Sequence, residues 1–90
     1  MAENHPVELI SLTIHYLNPN IQGDNEFLIY MSVPSYTKIN KIKNEIQKML
    51  SSLNTEQFEL KYEENLLIDR NLTLNDYNIK TGYHLFIDML

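Results

Sequence analysis

The chain has no cysteine and no tryptophan, only two glycines and three prolines among its 90 residues, and seven basic residues against twelve acidic ones. Each shortage closes off a class of function. Without cysteine there is no disulfide framework and no thiolate to act as nucleophile or metal ligand, which suits a reducing compartment, cytoplasmic or nuclear. Two glycines are too few for the Gly-rich loops that cradle phosphates, and no Ser/His/Asp set or carboxylate pair stands at a recognisable spacing. The expectation is therefore no enzyme, with no catalytic residues and no cofactor. His5, His15 and His84 have no cysteine beside them and no i, i+4 spacing, and on strands they are expected to point in different directions, so no metal site is predicted.

Charge narrows the field further. The net charge is −5, and it is uneven: residues 1–53 hold four basic and five acidic groups, residues 54–90 three and seven, so the halves carry −1 and −4. That balance lacks the basic footprint of phosphate contacts, and nucleic acid is not expected as a partner. No apolar run approaches the roughly 18 residues of a membrane span, so no membrane partner is expected. The opening "MAENHPV" carries an acid, no basic cluster and no apolar stretch behind it, unlike a signal peptide. Ninety residues suffice for one core, so one domain and a monomer are predicted.

What is present is periodic. "ELISLTIHYL" sets Ile10, Leu12, Ile14 and Tyr16 against Ser11, Thr13 and His15, the alternation of a strand with one buried face. "NPNIQGDN", residues 18–25, gathers turn formers into a hairpin loop. "EFLIYMSV" follows as a second strand with Phe27, Ile29, Met31 and Val33 inward, closed by Pro34. The period then changes to three and four through Ile39, Ile42, Ile46, Met49, Leu50 and Leu53, with Lys38, Lys41, Glu45 and Lys48 opposite. This predicts a helix with Thr37 as N-cap and an exit near Ser52. "FELKY" reads as a third strand, "ENLLI" as a turn and a short edge strand, and "YHLFIDML" as the last strand. Residues 1–8 form an arm, and 9–90 the domain.

Between the edge strand and the last strand lies "TLNDYNI", residues 73–79, too short for a helix and too polar for a strand. It resembles the Thr-Leu-Ser-Asp-Tyr-Asn-Ile segment of ubiquitin, from which it differs at one position. "IKNEIQK" and "PSYT" resemble, in the same order, pieces of ubiquitin's helix and the turn before it. The likeness runs from Leu9 to Leu90 and identifies the chain as similar to the ubiquitin-like family. It implies an α+β, β-grasp fold, ββαββ with a short 3₁₀-like turn before the last strand. It also implies that Leu74 and Ile79 enter the core, that Asn75 and Asp76 hold the turn, and that the Tyr77 hydroxyl bonds a backbone group of the preceding loop.

The resemblance carries functional expectations too. Ubiquitin is conjugated through a C-terminal glycine pair, whereas this sequence ends Asp88-Met89-Leu90, which implies a non-conjugating module that binds protein without covalent attachment. Ubiquitin's apolar patch maps onto Ile21, His84 and Phe86, with Lys61 in the central position and carboxylates, Glu59, Glu63, Glu64 and Asp88, around it. An ammonium there disfavours ordinary ubiquitin receptors, and the acidic rim implies a protein partner with basic residues. The partner-binding residues are thus expected to be Ile21, Lys61, His84, Phe86, Glu59 and Asp88. The parent would be an adaptor, a tubulin-folding cofactor or a shuttle protein. A splicing-associated protein acting alone is the alternative, and a modifier deprived of its tail the remaining one.

Overall fold

A computed structural model describes residues 8–17, 26–51 and 53–90 of the chain. Five strands and one helix follow in the order β1 (Leu9–Leu17), β2 (Glu26–Pro34), α1 (Ile39–Met49), β3 (Phe58–Tyr62), β4 (Asn65–Leu66) and β5 (His84–Met89). The strands form one mixed sheet in the order β2-β1-β5-β3-β4. β1 pairs antiparallel with β2 and parallel with β5, while β3 runs antiparallel to both β4 and β5. Together these make an α+β, β-grasp arrangement, as the resemblance implies, with the short edge strand β4 as a fifth strand beside the four of the ββαββ order.

The alternation of β1 does what period two requires: Ile10, Leu12, Ile14 and Tyr16 are all buried. They meet Leu85 of β5, Phe58 and Leu60 of β3, and the helix stripe Ile39, Ile42 and Ile46 in one apolar cluster. The helix covers the inner face of the sheet, and on the outer face Leu28, Tyr30, Leu66 and Phe86 are exposed. β2 lies at the sheet edge, and its inward residues are less well covered: Ile29 is buried, Met31 and Val33 are half-buried, and Phe27 is exposed. Among the described residues, no helix is long and apolar enough to cross a membrane.

One expectation about the helix needs correction. Its N-cap is Lys38, not Thr37, and no side chain caps it. The early amides, which need acceptors from outside the helix, are taken up by backbone: Ile39 N–H donates to the Leu72 carbonyl at 2.9 Å and Asn40 N–H to Arg70 at 3.0 Å. Thr37 is occupied elsewhere, its carbonyl accepting the Leu74 N–H at 3.0 Å. A neighbouring loop thus replaces the hydroxyl, a tertiary solution that local sequence does not announce. The last turn closes at Met49, where Leu50 N–H returns to the Ile46 carbonyl.

Residues 73–79 form a compact series of turns. Thr73 N–H donates to Asp76 Oδ2 at 2.9 Å and Asp76 N–H donates to Thr73 Oγ1 at 3.0 Å. This reciprocal pair is a capping box at the start of the turns. Tyr77 and Asn78 N–H then reach back three residues to Leu74 and Asn75, the 3₁₀ bonding pattern, and Asn78 ends it in the left-handed region at φ 59°. Leu74 and Ile79 are buried, and the Tyr77 hydroxyl accepts the Asp69 N–H at 2.9 Å. Tyr77→Phe is expected to lower stability by about 1 kcal/mol, the net worth of one hydrogen bond. Urea denaturation checks this, and a loss several times larger would mean that the hydroxyl organises the whole 69–77 loop.

Candidate interaction surface

Residues opposite one another on neighbouring strands project to the same face, so the register states who meets whom outside the core. Leu28 pairs with His15, His15 with Phe86, Phe86 with Lys61, and Lys61 with Leu66. One row of side chains therefore crosses all five strands on the face away from the helix. A second, shorter row beside it comprises Tyr30, Thr13 and His84. Leu28 and Phe86 are each 44 % exposed, Leu66 40 % and Tyr30 70 %. Exposed apolar side chains at both ends and in the middle of the row, with His15 and Lys61 between them, mark a face suited to binding.

The six residues singled out by sequence fare differently. Lys61, His84, Phe86 and Asp88 lie on this outer face. Lys61 stands one strand away from the middle of the row; Phe86 holds the middle, between His15 and Lys61. Ile21 lies outside the described residues. Glu59 does not join the rim, which corrects that expectation. It is 8 % exposed, with Oε2 3.2 Å from the Lys43 ammonium and Oε1 3.6 Å from the Arg70 guanidinium. The reason is positional. β4 pairs only with Lys61 and Tyr62, so the Phe58–Glu59 end of β3 is left open to the helix flank, where a buried lysine needs a counter-charge. Burial pushes the Lys43 ammonium below the ordinary lysine range, and the Glu59 hydrogen bond counters that shift. Asp88, Glu63 and Glu64 remain exposed.

The histidines also correct their expectation. His15 and His84 do not point apart: His15 Nε2 lies 2.6 Å from His84 Nδ1, and His15 Nδ1 is hydrogen-bonded to the Glu26 carboxylate. Phe86 stacks on the His15 ring, centroids 4.5 Å apart at 20°. Sequence reading passed over His15, Leu28, Tyr30 and Leu66 as surface residues. Leu28 and Tyr30 did leave a signal, being apolar at the outward positions of an alternating strand. His15 left none, because its neighbour is 69 positions away.

Elsewhere, a groove of about 280 Å³ between β2 and α1 is lined by Met31, Val33, Ile42 and Met49. Its charged groups, Lys41 and Glu45, are paired with each other at 3.1 Å. Lys48 also bonds Glu45, and the two ammonium groups hold its carboxyl below the usual range, as expected of a solvated helix face.

No protein-family model matches the sequence. No curated protein matches it either. Solved structures do match its shape. The C-terminal ubiquitin-like domain of mouse tubulin-specific chaperone e is similar with a TM-score of 0.76 at 16 % identity, covering 100 % of this chain and 95 % of that one. The ubiquitin-like domain of an Arabidopsis thaliana protein is similar at 0.72 and 19 % identity, over 99 % and 86 % of the two chains. Ubiquitin of Caldiarchaeum subterraneum is similar at 0.72 and 13 % identity, over 92 % and 95 %. The chain has the ubiquitin-like β-grasp fold.

Proposed function

We propose that this ubiquitin-like domain is a non-covalent protein-interaction module and that the outer face of its sheet is the binding surface. The observation that carries the reading is the row Leu28, His15, Phe86, Lys61 and Leu66, which crosses the whole sheet on the face the helix leaves bare. A partner that fits it offers an apolar centre over Phe86 and a carboxylate for Lys61, since an ammonium drawn into an interface needs a counter-charge. It also offers basic groups toward Asp88, Glu63 and Glu64. A cytoplasmic or nuclear setting and a parent of the adaptor or tubulin-folding-cofactor kind accord with such use. Among proteins of similar fold is a domain of tubulin-specific chaperone e.

The test places a photo-crosslinking residue at Leu28, Leu66 or, on the helix, Lys41, identifies the captured protein, and maps its binding by NMR titration. Shifts should concentrate on the outer rows. Phe86→Ala should weaken binding by about thirtyfold, the scale of a central aromatic anchor near 2 kcal/mol. Shifts confined to the helix face, with Phe86→Ala without effect, would remove the proposal.

A further inference from the structure

We propose that His15 and His84 form a binding site for a divalent transition-metal ion of the imidazole-preferring class, with Zn²⁺ as its representative. The two rings come from parallel neighbours. Thr13 is opposite His84 and His15 opposite Phe86, so the histidines are diagonal neighbours on one face. Their facing nitrogens, Nε2 of His15 and Nδ1 of His84, are 2.6 Å apart, and the ring centroids 4.9 Å. Two imidazoles holding one tetrahedral zinc, with Zn–N bonds of about 2.0–2.1 Å, set their ligating nitrogens roughly 3.3 Å apart. A movement of less than about 1 Å, available to the exposed ring of His84, therefore converts the hydrogen-bonded pair into a chelating one.

The surroundings favour the same outcome. Glu26 accepts the proton on His15 Nδ1, which leaves the Nε2 lone pair facing His84. A carboxylate behind a ligating histidine is the arrangement that fixes the tautomer and raises the basicity of metal-binding imidazoles. Phe86, stacked on the His15 ring, holds the ring plane and shields one side from water. With His15 as the Nδ1–H tautomer, the hydrogen bond between the rings has its proton on His84 Nδ1 in the ion-free protein. Binding transfers that proton to His84 Nε2 through solvent, so the imidazole stays neutral and a hydrogen bond, not a charge, is displaced.

Among the described residues, no group of three histidine, cysteine, aspartate or glutamate side chains could hold a metal ion. Two protein ligands leave the remaining positions to water, an open and exchangeable site in contrast to a closed structural one. Micromolar affinity is the corresponding expectation. The site stands whether or not the face docks a protein, because both ligands belong to this chain.

Titrating the whole chain with zinc chloride near neutral pH, followed by isothermal calorimetry and ¹⁵N NMR, tests the proposal. One equivalent should bind, with shifts centred on His15, His84 and Phe86, and Ni²⁺ should broaden the same resonances. His84→Gln and His15→Gln should each weaken binding at least about tenfold, and Glu26→Gln by roughly ten- to a hundredfold. Acidification should release the ion, because protons compete for the same nitrogens. Undiminished affinity in His84→Gln, broadening centred elsewhere such as the Glu63–Glu64 turn, or saturation only at millimolar zinc would overturn the site. His84 is exposed, so that variant decides the matter even if His15→Gln fails to fold.

Discussion

Lys43→Ala is expected to lower the unfolding free energy by about 3–5 kcal/mol, the range for removing one member of a buried ion pair. The Lys43 side chain is fully buried, 5.0 Å above the Phe58 ring, with its ammonium on Glu59. Alanine would leave the Glu59 carboxylate desolvated, with Arg70 at 3.6 Å as its remaining partner, and a cavity where the lysine stem had been. Arg70 is divided in its duties, since it also donates to the Thr55 carbonyl at 3.3 Å. The contrasting variant is the double change Lys43→Met with Glu59→Leu. It replaces both charges by apolar groups of similar size and should be neutral or stabilising, because neither desolvation penalty remains. Urea denaturation of the two single variants and the double one gives the coupling directly. A loss under about 1 kcal/mol for Lys43→Ala would mean that the pair is solvated.

The same group has a pH signature of definite sign. Its folded proton affinity lies below the ordinary value of 10.5, chiefly through burial. The unfolded chain therefore holds the proton more tightly, and the contribution of Lys43 rises as pH climbs through its folded value toward 10.5 and is lost on the way down. The rise should be present in the wild type and missing in Lys43→Met.

Leu74→Ala should cost about 2–5 kcal/mol, the range for truncating a fully buried leucine. Leu74 is completely buried, and its backbone ties the 73–79 turns to the start of the helix: its N–H donates to the Thr37 carbonyl, and its own carbonyl accepts from Tyr77 and Ile79. Those bonds survive the substitution, so what is lost is the apolar plug beneath them. The transition midpoint in denaturant should fall with little change in slope, as in a cavity-forming change. A cost near that of Tyr77→Phe would show that the 73–79 turns are held by their hydrogen bonds and not by packing.

Much of this was legible in residues 9–90. The alternation in β1 and the three-four spacing of Ile39, Ile42 and Ile46 give strand and helix their buried faces, because period and burial are linked locally. The segment 73–79 was legible through its likeness to ubiquitin, and its polar residues close the turns as that likeness implies. The misreadings share a cause. Thr37 lost the cap to carbonyls of residues 70 and 72, Glu59 was drawn from the rim by Lys43, and His84 was brought to His15. In each case the decisive neighbour is remote in sequence.

The sequence by itself determined the element order, the inward face of each long strand and the single core, since each follows from residues a few positions apart. Only the tertiary structure decided the outer face. The parallel seating of β5 on β1 puts Phe86 on His15 and His84 within hydrogen-bond reach of it. Strand register across a sheet is set by the packing of strands from remote parts of the chain around one core, and no stretch of chain contains that information alone.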